Sequence, residues 1–209
     1  MLQIDEEITD LERLRELIPG WPGSNTELKV TNSLNQMARD FIAAAPFVVI
    51  STKASDGLMD VSPKGDPAGF VEVCDEKTLI IPDRLGNGRT DGFLNILSDP
   101  NIGILFVVPG HRDTLRVAGK ARIVRDAVIS KRLAVNGKEP LLAMVVDVEE
   151  VFMHCAKAFI RSRLWQPDHW PDRKNAPTLA EWVAGTAGKD QTVADLQAIH
   201  TDDEETRLY

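Results

Sequence analysis

The stretch that decides the fold is residues 47–65, FVVISTKASDGLMDVSPKG. A β-branched run, FVVIST, passes through the turn-forming residues Ser55, Asp56 and Gly57 into a second short run, LMDVSPKG. This pattern predicts a β-hairpin. The runs GFVEVCD and TLIIP follow at once. A doubly wound α/β fold needs a helix after nearly every strand, and residues 47–82 leave no room for one. The stretch therefore predicts an antiparallel barrel.

The remainder of the chain is predicted to extend the barrel and to flank it with helices. Further strands are expected in NIGILFVV, buried on both faces, in TLRVAGKARIV, and in LLAMVVDVEEVFMHC as a strand pair or one bent strand. Helical spacing and end signals predict helices over residues 5–18, 31–45, 89–98, 126–135 and 178–184. The second helix has Thr31 or Asn32 as its expected N-cap. The acidic DDEE near the end is expected to be a solvated tail.

These elements predict one mainly β domain with peripheral helices over residues 1–209. Its expected parts are N-terminal helices in 1–45, the barrel in 46–165 and a C-terminal extension in 166–209. The formal net charge of −8 argues against broad binding of nucleic acid, which requires a basic surface. The start lacks the basic and apolar regions of a signal peptide, and no apolar run reaches the ~20 residues of a membrane span. The expected location is therefore the cytoplasm.

One loop concentrates fixed positive charge in this acidic chain. Residues 81–91, IPDRLGNGRTD, lie between a predicted strand and a predicted helix and carry Arg84 and Arg89. Arginine matches phosphate oxygens, glycine lets backbone N–H groups approach an anion, and a helix start adds partial positive charge. The loop is thus a candidate phosphate cradle, although solvated surface arginines are the more common case. It is not a Walker loop, because no GK[ST] follows.

Three other stretches carry side chains suited to an anionic aromatic ligand. They are VSPKG with Lys64, TLRV with Arg116, and HCAKAFIRSRLW over residues 154–165. The alternatives are an exposed lysine at a strand end, an outward-facing arginine, and a structural tryptophan beside solvated arginines. No nucleophile–base motif and no metal-ligand cluster accompany them. Anion binding and stacking without an acid–base set favour a chain whose cofactor carries the reaction.

Read in order, the stretches resemble those of the pyridoxamine 5′-phosphate oxidase-like flavoproteins, and more narrowly the bacterial branch of FMN-binding proteins in that superfamily. The resembling segments are FVVISTKASDGLMDVSPKGDPAGFV, TLIIPDRLGNGRTDGFLNILSDPNIGILFVVPG, TLRVAGKARIV and HCAKAFIRSRLW. The resemblance implies a split β-barrel that forms a homodimer, with FMN bound in a cleft between the two subunits.

The resemblance also implies which residues hold the cofactor. The implied FMN-contacting residues are Asp60, Val61, Ser62, Lys64, Pro82, Asp83, Arg84, Asn87, Arg89, Arg116 and Trp165. Of these, Arg84, Asn87 and Arg89 would bind the phosphate and ribityl chain, and Pro82 and Asp83 would lie beside the isoalloxazine. His154, Arg161 and Arg163 would close the site from the partner subunit or bind substrate. The oxidase itself uses an arginine–histidine pair near its C-terminus, whereas this region of the chain reads RSRLW, with no histidine between the arginines. This departure argues against oxidation of vitamin B6 phosphates.

Three functions are carried forward from the sequence. The first is an FMN-dependent oxidoreductase acting on a small molecule of unknown identity. The second is a flavin carrier or sensor without catalysis. The third is a split barrel that holds haem or a deazaflavin, with His154 as the ligand type that haem requires.

Overall fold

The computed structural model describes residues 2–18, 20, 28–86, 88–187 and 191–209. Seven strands form one antiparallel sheet in the order β2-β1-β5-β6-β7-β4-β3, and the sheet does not close. The strands are β1 Phe47–Lys53, β2 Met59–Gly65, β3 Glu72–Val73, β4 Thr78–Pro82, β5 Asn101–Val107, β6 Thr114–Val124 and β7 Ala143–His154. The prediction of a mainly β, antiparallel split barrel is confirmed.

The predicted hairpin of β1 and β2 is present in the structure. Its strands pair from Phe47 with Gly65 to Lys53 with Met59. The Asp56 carboxylate accepts a hydrogen bond from the backbone N–H of Leu58 at 3.0 Å, and Gly57 has a φ of +91°. Aspartate and glycine thus supply the two features that a tight turn requires, a local side-chain acceptor and a residue that tolerates positive φ.

The core lies on one face of the long central strands. Phe106, Leu115, Val117 and Val146 are at most 1% exposed, and they come from β5, β6 and β7. Strand β5 alternates between buried and half-buried positions before its buried end, so the prediction that it is buried on both faces is wrong. One face of β5 meets the core, and the other is only partly covered.

A β-bulge bends the central pair of strands. Ala118 of β6 pairs with Glu150 of β7 and Gly119 pairs with Val148, so β7 has one extra residue at this point. A Cβ added to Gly119 would lie well inside van der Waals distance of the Asp147 carbonyl oxygen and 3.2 Å from the Val148 Cα. The close backbone approach therefore requires glycine.

Seven α-helices are described along with two 3₁₀ turns, Pro167–His169 and Arg173–Asn175. The helices are α1 Leu11–Leu17, α2 Gln36–Ala44, α3 Asp91–Ser98, α4 Ala127–Arg132, α5 Lys157–Ser162, α6 Leu179–Ala187 and α7 Val193–Thr206. In the part of the chain described here, no helix has both the length and the apolar character needed to cross a membrane.

Several predicted helix limits were wrong because side-chain caps, not apolar spacing, set them. Helix α1 begins after Asp10, whose carboxylate accepts from Arg13 N–H, so residues 5–10 are not helical. Helix α2 is capped by Asn35 and not by the expected residues, since Thr31 instead exchanges backbone hydrogen bonds with Val151. The DDEE segment is exposed, as predicted, but it belongs to α7, which starts with a capping box at Thr192.

Candidate functional site

A cavity of about 590 Å³ opens between strand β2, the loop after β4 and the first turn of α3. Its described lining includes residues 60–64 of β2, residues 83–86 and 88–90 of the loop, and the start of α3. This volume lies within the range of about 300–1,000 Å³ for small-molecule sites. The cavity therefore unites two stretches that the sequence singled out separately, VSPKG and the arginine-containing loop.

Strand β2 directs its polar side chains toward the cavity because of its register with β1. Directly paired residues of antiparallel strands project to the same face of a sheet. Asp60, Ser62 and Lys64 of β2 pair with Thr52, Ile50 and Val48, which are all buried. The three polar residues of β2 therefore share the face that β1 turns inward, and the residues between them are exposed.

The loop after β4 ends in an unusual helix start. Gly88 has a φ of +70° and Thr90 a φ of +56°, and Thr90 is the N-cap of α3 without a side-chain cap hydrogen bond. Left-handed backbone is rare for threonine and marks a constrained turn. Both residues line the cavity, together with Gly92 in the first helical turn. A Cβ added at Gly88 or Gly92 would meet no atom within 4 Å, so the backbone there is open to a ligand.

Arg84 is the loop's anchor to the barrel. Its Nε donates to Asp66 Oδ2 at 2.6 Å and its Nη2 donates to the Leu133 carbonyl at 2.8 Å. The side chains of Arg84 and Asp66 are only 16% and 1% exposed. Arg84 also lines the cavity. The structure thus places Arg84 at the predicted site, with two of its three guanidinium nitrogens engaged in contacts that hold the loop.

Arg89 lies in a different environment from Arg84. Its side chain is 73% exposed and its Nε donates to Asp91 Oδ2 at 2.6 Å. It lines the cavity beside the start of α3. The ion pair of Arg89 is thus more exposed than that of Arg84, and exposed ion pairs contribute little to stability. Asn87, predicted between them as a phosphate ligand, lies outside the described residues.

Charge in the cavity is mixed, and one carboxyl group is perturbed. Among the described lining residues, the cations are Lys64, Arg84, Arg89 and Arg207, and the carboxylates are Asp60, Asp83 and Asp91. Burial raises the pKa of Asp83, while the nearby charges of Lys64 and Arg84 lower it in part. A partly desolvated carboxyl group held near two cations is a typical binding-site feature.

The remaining predicted residues are not brought to this cavity within one chain. Pro82 is buried as the last residue of β4, where it pairs with Ala143. Arg116 pairs with Phe152, whereas the cavity contacts β7 at Met144. Eight residues of β7 separate the two positions, which corresponds to about 26 Å along the strand. Arg116 therefore lies toward the end of β6 and β7 opposite Met144, and it is not among the described residues that line the cavity.

A second group of predicted residues surrounds that far end, and we call it the distal cluster. It consists of Arg116, Phe152, His154, Trp165 and their neighbours in residues 154–165. The Arg116 guanidinium lies 5.3 Å from the Phe152 ring centre, and the rings of Phe152 and His154 are 4.9 Å apart. Burial lowers the pKa of His154, with further lowering by the charges of Lys29 and Arg116.

The other predicted residues of the distal cluster follow α5. Trp165 stacks on Phe159 with ring centres 5.6 Å apart, and its Nε1 donates to the His111 carbonyl at 2.7 Å. Arg163 contacts His169 at 3.0 Å, and Arg161, in the last turn of α5, is exposed. The cluster thus combines cations with flat rings, as the sequence predicted, but it is separate from the cavity.

Sequence reasoning missed several residues that line the cavity. Thr52 lies at the end of β1 and accepts a hydrogen bond from Asn95 of α3 at 3.0 Å. Phe93 and Met144 supply apolar surface, and Arg207 approaches from the end of α7. The inward orientation of the Thr52 side chain could have been predicted from the alternation of side chains along β1 and from its pairing with Asp60. Arg207 gave no signal, because nothing in the sequence relates the C-terminal helix to the loop after β4.

Comparison with known proteins gave one family and several structural relatives. The family model described as pyridoxamine 5′-phosphate oxidase matches residues 34–155. Similar solved structures include HupZ from Group A Streptococcus, 23% identical, covering 57% of this chain and 92% of that chain with a TM-score of 0.48. General stress protein 26 from Bacillus anthracis is 15% identical, with coverages of 55% and 88% and a TM-score of 0.44. An FMN-binding protein from Syntrophomonas wolfei is 12% identical, with coverages of 57% and 89% and a TM-score of 0.42.

A search of curated proteins found no match. The family match spans more than half of the chain and includes all seven strands of the sheet. It also includes both cavity-forming stretches, VSPKG and the loop after β4. By this match the chain belongs to the pyridoxamine 5′-phosphate oxidase family.

Proposed function

We propose that the chain binds FMN in the β2–α3 cavity and acts as an FMN-dependent oxidoreductase on a small molecule. The observation that carries this proposal is the meeting of Lys64, Arg89 and the open start of α3 in one cavity of a family member. A phosphate ester is the ligand group that such a set of donors suits best.

The phosphate end of FMN fits the loop side of the cavity. Lys64 and Arg89 offer charged donors, and the positive end of the α3 dipole adds to them. The backbone at Gly88 and Gly92 has open space beside it. Thr90 makes no side-chain cap to compete for the first helical N–H groups. These features would hold a phosphate dianion without a basic protein surface.

The ring end of FMN fits the barrel side. Ile50, Phe93 and Met144 give this part of the cavity an apolar lining. When bound, FMN would supply the electron-transfer chemistry. The role of the chain's own residues is to fix the ring, exclude water and supply hydrogen bonds. Asp83 is suited to hold a proton near the ring, because burial raises the pKa of its carboxyl group.

We further propose that a second copy of the chain completes the site. The distal cluster carries Arg116, His154 and Trp165, which suit an anionic aromatic ligand, yet none of the three is among the described residues that line the cavity of the same chain. A homodimer would allow this cluster to approach the FMN of the partner. Sedimentation should then report twice the 23.1 kDa mass of the chain, and a purely monomeric protein would contradict the shared site.

The alternative of a flavin carrier is favoured by one observation. Among the described residues that line the cavity there is no histidine and no cysteine. A site with so little acid–base chemistry can hold a flavin without turning over a substrate. Rapid reduction by NADH or NADPH, followed by turnover with an acceptor, would favour the enzyme. A bound flavin that resists both nucleotides would favour the carrier.

A matched pair of lysine variants tests FMN binding in this cavity. Lys64→Met keeps the length of the side chain and removes its charge, and Lys120→Met does the same on β6, outside the cavity lining. Loss of one charge-assisted contact should weaken FMN binding in Lys64→Met by about 1–3 kcal/mol, with no change in Lys120→Met. Equal affinity in both variants, measured by quenching of flavin fluorescence, would place FMN elsewhere.

A further inference from the structure

The segment that follows α7 lies against the cavity loop. Arg207 lines the β2–α3 cavity, and Tyr209 lines a neighbouring cavity of about 550 Å³ that shares Asp83 and Arg84 with it. Helix α7 begins at Val193, well after the last barrel strand ends at His154. Its last turn therefore brings residues of the C-terminal extension to the loop that the cofactor proposal requires.

Three side chains join this segment to the loop. Tyr209 donates its hydroxyl hydrogen to Asp66 Oδ1 at 2.7 Å, and Arg84 Nε donates to Asp66 Oδ2 at 2.6 Å. Both carboxylate oxygens of the buried Asp66 are thus used. The Arg84 guanidinium also lies 5.8 Å from the centre of the Tyr209 ring, within reach of a cation–π interaction. The hydrogen bond to Asp66 is the main reason that the pKa of Tyr209 is raised.

These contacts fix the orientation of the Arg84 guanidinium group. Nε is held by Asp66 and Nη2 by the Leu133 carbonyl, and within the described part of the chain Nη1 has no hydrogen-bond partner. Because the guanidinium is planar, two fixed nitrogens determine where the third one points. Arg207 is itself held by an ion pair with Asp203, one helical turn earlier, at 2.8 Å.

We infer that the C-terminal segment is part of the cofactor site: Arg207 binds the anionic group of the ligand, and Tyr209 is a positioning residue that orients Arg84 through Asp66. This inference rests on the proposed function, since the anion is taken to be a phosphate monoester attached to a flavin. It assigns a role to residues 207–209, which lie outside the segment matched by the family model. Those residues make the phosphate end of the site more selective.

The test compares FMN with riboflavin, which has the same ring system and no phosphate. Flavin-free full-length protein is titrated with each ligand by fluorescence quenching, in the wild type and in Tyr209→Phe, Arg207→Gln and the control Arg173→Gln. Arg173 is exposed and does not line the cavity. Tyr209→Phe removes only the hydroxyl group, and the melting temperature of each flavin-free variant shows whether its fold is intact.

We expect Tyr209→Phe to weaken FMN binding about 3- to 10-fold through the loss of one positioning hydrogen bond, and Arg207→Gln to weaken it roughly 5- to 150-fold through the loss of a charge-assisted contact. Both variants should leave riboflavin binding unchanged. Arg173→Gln should bind both ligands as the wild type does. An equal loss for both ligands would show a merely structural tail and would overturn the inference, as would unchanged FMN binding. A wild type that does not prefer FMN to riboflavin would instead overturn the proposed phosphate site itself.

Discussion

The two arginines of the loop after β4 should separate stability from cofactor binding. Arg84 is 16% exposed and pairs with Asp66, which is 1% exposed. Arg89 is 73% exposed and pairs with Asp91, which is 38% exposed. Removing one partner of a buried pair costs about 3–5 kcal/mol, because the other charge is left desolvated. Removing one partner of an exposed pair costs about 0–1 kcal/mol.

We therefore expect Arg84→Ala to lower the free energy of unfolding by about 3 kcal/mol, the lower end of that range. The lower end applies because Asp66 keeps its hydrogen bond from Tyr209. Arg89→Ala should lower the free energy of unfolding by less than Arg84→Ala does, because its pair with Asp91 is the more exposed of the two. Its FMN affinity should nevertheless fall by about 1–3 kcal/mol, or roughly 5- to 150-fold, if Arg89 donates to the phosphate.

The assay consists of two measurements on each flavin-free variant. Urea denaturation gives the free energy of unfolding, and an FMN titration at a temperature where the variant is folded gives the Kd. Arg84→Ala with wild-type stability would refute the anchoring role assigned to its contacts. Arg89→Ala with wild-type affinity for FMN would remove Arg89 from the phosphate site, even if the cavity binds flavin.

Further predictions concern a close backbone approach, the carboxyl group of Asp83 and the oligomeric state. Gly119→Ala places a Cβ 3.0 Å from the Asp147 carbonyl carbon and should lower the free energy of unfolding by about 3 kcal/mol. In the control variant Gly103→Ala, the new Cβ would meet its nearest atom at 3.9 Å, and the free energy of unfolding should change by less than about 1 kcal/mol. Similar urea midpoints for the two variants would contradict the close approach of the backbone at Gly119. The raised pKa of Asp83 means that its protonation favours the folded state, so this group's contribution to stability falls as the pH rises from the unfolded toward the folded pKa. Lys64→Met should raise the Asp83 pKa further, and a carboxyl NMR titration showing a lower value would refute this. Flavin-free and flavin-loaded protein should both sediment as a dimer, and dissociation to monomers with flavin still bound would contradict a shared site.

The sheet could be predicted from the sequence because its rules are local. The hairpin of β1 and β2 has a β-branched run in its first strand and the turn-forming residues Asp56 and Gly57 between its two strands. Each strand is then separated from the next by Gly, Pro or Asp. Short antiparallel strands with tight connections leave few alternative topologies, so spacing predicted an antiparallel barrel, whereas the split form of the barrel was implied by the family resemblance.

Helix starts were less predictable because tertiary contacts decide which of several candidate N-cap residues caps the helix. Thr31 and Asn35 are both good N-cap residues by type, but Thr31 is taken by the backbone of Val151, a residue distant in the sequence. The helix starts instead after Asn35, whose side chain accepts a hydrogen bond from the backbone N–H of Ala38. No local pattern distinguishes the two possibilities.

The cavity was predictable only in part. Lys64 and Arg89 were identified because a lysine at a strand end and an arginine in a glycine-containing loop before a helix both suit an anion. The anchoring contacts of Arg84 could not be predicted, since they depend on Asp66 and on a carbonyl at the end of α4. The same is true of Arg207, which reaches the cavity through the packing of the C-terminal helices.

The central claim, that the chain is a flavoprotein, is tested most directly by the molecule that it carries when purified. The protein is prepared without added cofactor, its absorption spectrum is recorded, and the released ligand is identified by mass. We expect flavin absorption bands and the mass of FMN, in up to one equivalent per chain. A Soret band with released haem, the mass of a deazaflavin, or a colourless protein that fails to bind added FMN would contradict it.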